Sequence, residues 1–416
     1  MSLKNGHLFC NLRYLADTAP LINAVHDAGA TAGVTIGPCP FFYPEGSPCW
    51  GGANGRYHQW HRNLSAACQG QSGGSCPFDS VIAHNYITDA KTLTVFTPEQ
   101  VCNFVVISGF GSNSILLTRC VIALQMLSAF LTIPQVTMDF GAASMARDFA
   151  DGLTLWVTEF NTMYADVWSG KADADHPAAA KFLNSTENSA AHAVHVAAYI
   201  LAAMGHGRLV ETMNYHSFME GAGASSLGPH TDGGSQPGFA TVAINASGSY
   251  ISPVAQVLST LAGWLGEPGA TMEAVPQTGS SEVLPFTLAK AGLGTKTHTC
   301  IHAAAICARS ATAENVAGED RLIAINRCDH PVEFSLASLK AACGSGASGW
   351  AAVQTYDASV SVDGPGHTWA KTAGPSPWGP LKPAVTGAGA GAPTLDAYSL
   401  SSVTLKMDDP SSALAR

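Results

Sequence analysis

The stretch "LTLWVTEFNTMY", Leu153 to Tyr164, decides the fold, because a strongly β-forming apolar run ends in a carboxylate. Leu, Trp, Val and Thr favour a strand, and Glu159 closes it with Phe160 and Asn161 directly after. Alternate residues of a strand face the same way. That count places Leu155, Val157 and Glu159 on one face and Trp156, Thr158 and Phe160 on the other. The acid is then either a strand end that happens to be charged or part of a working site.

The surroundings supply the frame. "ATAGVTIGPC" predicts a buried strand over about 32–38 and "FDSVIAHNYI" a second over 78–87, whose count puts Ile82, His84 and Tyr86 on one face. Helical spacing of Leu21, Ile22, Val25 and Ala28 predicts a helix over 17–30. "NSAAHAVHVAAYILAAMG" (188–205) predicts another, ending at a glycine, and "ISPVAQVLSTLAGWLG" a third over 251–266. "RLVETMNYHSF" (208–218) reads as a strand. Near-continuous apolar strands alternating with helices point to βαβ units and a parallel sheet. If that sheet closes into a barrel, Leu155 and Val157 fill its layers and Glu159 emerges at the C-terminal rim, where barrel enzymes carry their catalytic groups.

The pattern changes near residue 270. Short β-rich pieces at "THTCIHAAAICA", "DRLIAINRC", "AAVQTYDA" and "LSSVTLKM", separated by Gly, Pro and Ser clusters, predict an antiparallel β-sandwich. We expect a barrel-type domain over 1–268 and a sandwich over 269–416, with 374–394 as loop. One segment fits less well. Between Glu99 and Asp139 the only formal charge is Arg119, and residues 115–133 are nearly long enough to span a bilayer. A stretch foreign to the natural protein is a second reading. A buried helix is the third, and Arg119 favours it, since a charge in hydrocarbon is costly. No membrane partner is expected.

Composition bounds the function. The 416 residues are 46% hydrophobic and only 12% charged, which excludes global disorder. The net charge of −10 and the lack of any Lys/Arg cluster exclude a nucleic-acid partner. The eleven cysteines form no C-x-x-C pair, against a zinc ribbon or a thioredoxin-type site. Cys39/Cys49, Cys68/Cys76 and Cys328/Cys343 are close enough in sequence to close short disulfide loops, Cys68 to Cys76 above all. Together with sequons at Asn63, Asn184 and Asn245 they favour a secreted or cell-wall protein. The opening "MSLKNGHLFCNLRYLADTAP" lacks the apolar region and cleavage site of a signal peptide.

"LWVTEFN" resembles the nucleophile strand of the retaining glycoside hydrolases built on (β/α)8 barrels, the α-L-arabinofuranosidases especially, in which a Glu closes the seventh strand. "FDSVIAHNY" resembles their sixth strand, and "TLDAYSLSSVTLKM" the last strands of the sandwich that follows such barrels. The resemblance implies hydrolysis of O-glycosidic bonds in a polysaccharide or oligosaccharide, with Glu159 as nucleophile and no cofactor or metal. It implies substrate contacts at His84 and Tyr86; Asn161, Tyr215 and His216, at the same strand ends, complete the candidate set. The chemistry needs a second carboxyl to protonate the leaving oxygen and later activate water, held about 5–5.5 Å from the first in retaining enzymes. In the family it is the Glu of an Asn-Glu pair ending the fourth strand. No such pair precedes Glu159; "KNGHLF" stands in its place, with His7 near the expected Glu.

Strand counting agrees, because four βα units before "AGVTI" need about 120 residues at roughly 30 each. The sequence reads as the second half of a barrel plus its sandwich. Bland alternatives stand beside each sharp one: a salt-bridged strand end for Glu159, and a satisfied core pair for His84 and Tyr86. His192 and His195 have metal-compatible spacing but no acidic neighbour, so they read as ordinary helix residues. Glu211 is a candidate stand-in acid, though an ion pair fits it better. Tyr43, Trp50, Tyr57 and Trp60 suit either sugar stacking or plugging of the barrel top. Two functions follow: a glycosidase, or a catalytically inactive, glycosidase-derived protein that binds carbohydrate or builds a wall.

Overall fold

A computed structural model describes residues 20–30, 33–35, 64–66, 68, 76, 78–87, 93, 113–149, 152–162, 177–186, 189–216, 219–221, 241–245, 248–265, 271–274, 284, 298–307, 320–343, 349–358, 370–371 and 384–406. Residues 20–27 are helical and end at Gly29, which takes φ +73. Four strands follow in one sheet: β1 (Gly33–Thr35), β2 (Ser80–Ile87), β3 (Thr154–Thr162) and β4 (Val210–Tyr215). They pair side by side in that order, all parallel. Helix α1 (Asn113–Asp148) crosses from β2 to β3, and α2 (Pro177–Thr186) and α3 (Ala190–Met204) cross from β3 to β4. This is the expected βαβ arrangement. Among the described residues the sheet is four strands wide and does not close into a barrel.

A second sheet, β5 (Met219–Gly221), β6 (Val242–Asn245), β7 (Gly248–Ile251) and a later strand at Ala370–Lys371, leads to α4 (Pro253–Leu265). The antiparallel region then contains β8 (Thr271–Ala274), β9 (Ile301–Cys307), β10 (Arg321–Asn326), β11 (Val332–Glu333), α5 (Leu336–Cys343) and β12 (Gly349–Asp357). After β13 (Ala370–Lys371) come β14 (Ala384–Thr386), β15 (Thr394–Leu395) and β16 (Ser399–Lys406). Six of these form one sheet in the order β14-β12-β16-β10-β9-β8, and β11 pairs with β15. The four β-rich pieces read from the sequence are β9, β10, β12 and β16. β14 lies in the stretch expected to be loop; it is exposed but pairs antiparallel with the edge of β12.

Helix α3 is the hinge of the architecture. Its sequence is apolar all round, the pattern of a helix buried on every side, and every residue but Ile200 and Met204 is buried. It packs on β3 and β4 and also on β8, β9, β10, β12 and β16. Ser189 caps its start, Oγ accepting from the His192 amide at 3.2 Å, and Gly205 ends it. The residues of α1 from Met126 to Met138 are buried against α3 with Gln135 alone half-buried, so this part of the apolar segment belongs to the core. No helix among the described residues is long and apolar enough to cross a membrane.

The disulfides correct one expectation. Cys68 joins Cys76 as expected, but Cys328 joins Cys300 and Cys343 joins Cys307. Antiparallel pairing of β9 with β10 brings Ile301 opposite Asn326, so Cys300 and Cys328 meet just past the two strand ends. α5 packs on β9 and brings Cys343 to its far end. Proximity in space, set by register, overrode proximity in sequence. Cys39 and Cys49 lie outside the described residues.

Candidate active site

The two faces of the parallel sheet differ, and a bulge decides which one Glu159 joins. Val81 pairs with Leu155 and Ala83 with Val157, but His84 pairs with Glu159, leaving Thr158 as the extra residue. One inserted residue reverses the alternation beyond it. Leu155, Val157 and Phe160 therefore share a face with Val81, Ala83 and Asn85, and that face packs under the helices. Asn85 donates to Thr137 of α1 at 3.0 Å, and the Phe160 ring meets Tyr199 of α3 edge-on at 5.5 Å. The opposite face carries Ile82, His84, Trp156 and Glu159, all part-exposed. The simple count, which grouped Glu159 with Leu155 and Val157 and sent Trp156 and Phe160 outward together, is corrected here: Glu159 lies with Trp156, and Phe160 alone goes under the helices.

On the open face His84 Nδ1 lies 3.2 Å from Glu159 Oε2. The side chains retain 26% and 35% exposure, enough for a ligand to reach the carboxylate. Partial burial holds the His84 imidazole below its usual pKa; Glu159 pulls it back up and His216 pushes it down. A neutral ring with its proton on Nδ1 can donate to the carboxylate without cancelling its charge. His216, just beyond β4, is half-buried and gives its backbone N–H to the Phe160 carbonyl at 3.4 Å. The structure thus brings Glu159, His84 and His216 together. Tyr86 pairs with Asn161 in the strand register, but its side chain lies outside the described residues.

Asn161 and Tyr215 take different places. Asn161 is fully buried, and protein groups fill its amide. Its Nδ2 donates to Tyr215 Oη at 3.0 Å and to the His216 carbonyl at 2.6 Å. Its Oδ1 accepts from the Thr162 amide at 2.7 Å and faces His192 Nε2 at 2.7 Å. Tyr215 is half-buried, its ring edge-on to Phe160 at 5.9 Å.

Glu211 occupies the wrong end of the strand for a partner acid. It accepts from Thr154 Oγ1 at 2.6 Å and Trp156 Nε1 at 2.7 Å, and those bonds hold its pKa low. Three to five residues of extended chain separate these donors from Glu159, about 10–17 Å at the usual rise. A retaining pair requires about 5–5.5 Å.

The histidines of α3 are structural ties. His192, His195 and Tyr199 lie on one stripe and reach three elements: β3 through Asn161, α1 through the Phe130 carbonyl (2.6 Å from His195 Nδ1), and β2 through Asn85 Oδ1 at 3.4 Å. Burial pushes both imidazoles down to about 3, so both are neutral. Their rings serve different partners, and no metal-binding group is present among the described residues. Two features escaped the sequence reading: the Asn161–His192 contact, and Arg327. The latter is wholly buried where α1 meets β9 and β10, donating to Gln135 Oε1 at 2.8 Å and the Thr299 carbonyl at 2.7 Å. Polar residues set in otherwise apolar runs, His192 and His195 in "AHAVHVAAY" and Asn326 and Arg327 in "LIAINRC", were the available signal for both.

Comparison with solved structures places the fold. A family 51 α-L-arabinofuranosidase from Bifidobacterium longum is similar with a TM-score of 0.51 and 13% identity, over 95% of this chain and 63% of that one. The arabinofuranosidase from Xanthomonas axonopodis pv. citri gives 0.45 and 14%, over 84% and 56%. An arabinose-bound family 51 α-L-arabinofuranosidase gives 0.38 and 15%, over 85% and 42%. The chain thus spans less than two thirds of the length of each of these structures. No protein-family model and no curated protein matches the sequence. The likeness is one of fold: a mixed α/β protein with a parallel sheet and antiparallel sheets, glycoside-hydrolase-like in architecture.

Proposed function

We propose that this chain acts as a retaining glycoside hydrolase on α-L-arabinofuranosyl linkages of polysaccharides or oligosaccharides, with Glu159 as nucleophile. One observation carries the reading: a reachable carboxylate at the C-terminal end of a central parallel strand, on the face away from the helices, with His84 beside it. In this reading the parallel strands belong to a (β/α) barrel over 1–268, followed by a sandwich domain over 269–416. His84, Tyr86, Tyr215 and His216 line the sugar site, and Asn161 stands behind it.

The reaction follows from the groups. A Glu159 oxygen attacks the anomeric carbon, and the bond from that carbon to the leaving oxygen breaks. That oxygen takes a proton from a second acid, a role none of the residues named here fills, and the sugar is held as an ester. Water then cleaves the ester with overall retention. Three disulfides among the described residues support an oxidising compartment, hence a secreted or wall location.

Glu159→Ala tests the assignment. Turnover of an aryl arabinofuranoside is lost, and azide restores it in part by entering the emptied space, giving a glycosyl azide of inverted anomeric configuration. Unchanged turnover per folded molecule sinks the reading. The remoteness of Glu211 favours a second reading, an inactive carbohydrate-binding protein; it predicts arabinoside binding that Glu159→Ala leaves intact, with no turnover in either protein.

A further inference from the structure

The strand that carries Glu159 is irregular where it needs to be rigid. Its register with β2 shifts between Ala83 and His84, and its register with β4 shifts again between Val157 and Phe160. Ladder bonds lost at a bulge leave the residues beside it less constrained; Glu159 lies inside the irregular span with β4 and directly beyond the one with β2. Pairing with β2 resumes at Glu159 but pairing with β4 only at Phe160, and the next residue is Asn161.

Asn161 has the bonds to restore what the bulge removes. Its Nδ2 takes hold of the His216 carbonyl, while the His216 amide bonds to the Phe160 carbonyl, so the residue after β4 is gripped from both sides by β3. Its Oδ1 is held in turn by His192 Nε2, on the first turn of α3. An amide oxygen only accepts, so a neutral His192 carries its proton on Nε2. Thr162 Oγ1, 3.0 Å from the same nitrogen, completes the contact. With all of its amide positions occupied and no exposed surface, Asn161 has no group left for a sugar.

We propose that Asn161 is a positioning residue which, braced by the Nε2–H of His192, fixes the Glu159 carboxylate against His84 and His216. The proposal deepens the reading of Glu159 as nucleophile, but its test reads geometry rather than turnover. The reporter is the His84 imidazole, which Glu159 faces from β3 and His216 faces from beyond β4.

The experiment is an NMR pH titration of the full chain carrying labelled histidine, with the His84 signal assigned by its loss in His84→Gln. Glu159→Gln sets the scale by lowering the His84 midpoint, since the charge that raises it is gone. Asn161→Ala is expected to lower the midpoint in the same direction, in a protein with wild-type circular dichroism. His192→Phe, which lacks the donor, should do likewise. His192→Gln, whose side-chain amide can stand where Nε2–H stood, should keep the wild-type midpoint. If Asn161→Ala does not fold, the His192 pair carries the same comparison. Folded variants that titrate as wild type at His84 while losing only thermal stability would overturn the proposal, as would a His192→Gln midpoint displaced like that of His192→Phe. A titration as expected in a chain that hydrolyses nothing retains the clamp and removes the hydrolase reading.

Discussion

Strands β3 and β10 occupy equivalent places, each central in its sheet with a partner on either side, yet they differ in regularity. β10 keeps an unbroken register with both β9 and β16 from Arg321 to Asn326, and all of its residues but the first are buried. β3 loses register once with β2 and twice with β4, all between Leu155 and Phe160. A strand whose central side chains, Leu322 to Ile325, are all buried and apolar gains most from an uninterrupted ladder. A carboxylate two residues after the helix-facing Val157 is turned away from the helices by the bulge, because in a regular strand the alternation would direct Glu159 under them. The lesson is that β3 gives up ladder regularity at the place where it presents a part-exposed carboxylate on the face away from the helices.

The comparison breaks or sharpens through substitution on the two strands, beginning with the largest effect. Glu159→Ala should lower turnover on the order of 10⁴–10⁶-fold, as loss of a nucleophile does elsewhere. The same change should alter the unfolding free energy read from urea titration by less than about 1 kcal/mol, the range of a part-exposed position. Leu322→Ala in β10, fully buried, should do the reverse. A cost of about 2–5 kcal/mol is expected for the cavity it leaves, with turnover per folded molecule unchanged. A stability loss at Glu159 equal to that at Leu322 would erase the distinction.

Acid provides the next contrast. His192 and His195 on α3 and His302 in β9 are buried and held near about 3, against about 6.5 in the unfolded chain. The unfolded state binds more protons between those values, so stability is complete above about 6.5 and declines as the pH falls toward 3. Urea midpoints at pH 6.5 and 5, above the range where most carboxylates titrate, should show this decline. Replacing His192 and His195 by Gln should flatten it more than replacing His302 alone, because two of the three groups lie on the parallel-sheet side. The smallest effect is expected at Glu211. Glu211→Gln should alter stability by no more than about 0.5 kcal/mol, the range of exposed substitutions, and leave turnover unchanged. A large loss of turnover there would restore it as the partner acid.

Much of this was legible in the sequence, and what was not has a physical reason. The alternation of apolar runs with helices gave β2, β3, β4 and α3 to within a few residues, because periodicity reports burial directly. The end of β3 was legible as a candidate site because an apolar strand ends there in a carboxylate, although a salt-bridged strand end fitted the same residues. The bulge was not, since the same residues satisfy either register until the partner strand is placed. The pairing of Cys300 with Cys328 depends on how β9 meets β10, which spacing along the chain does not encode. Asn161 looked like a sugar contact for the same reason: a polar residue after a catalytic strand can point into the site or behind it, and only His192, brought up by α3, decides.

The central claim is that Glu159 is the group that attacks the sugar, and the direct test asks nothing of an acid/base. With 2,4-dinitrophenyl α-L-arabinofuranoside the leaving phenolate departs without a proton, so the first step needs the nucleophile alone. The account predicts a burst of dinitrophenolate of one equivalent or less and, after peptide mapping by mass spectrometry, a single pentosyl ester on Glu159. A folded protein that gives no burst, or one whose pentosyl group maps to a different carboxylate, would contradict it.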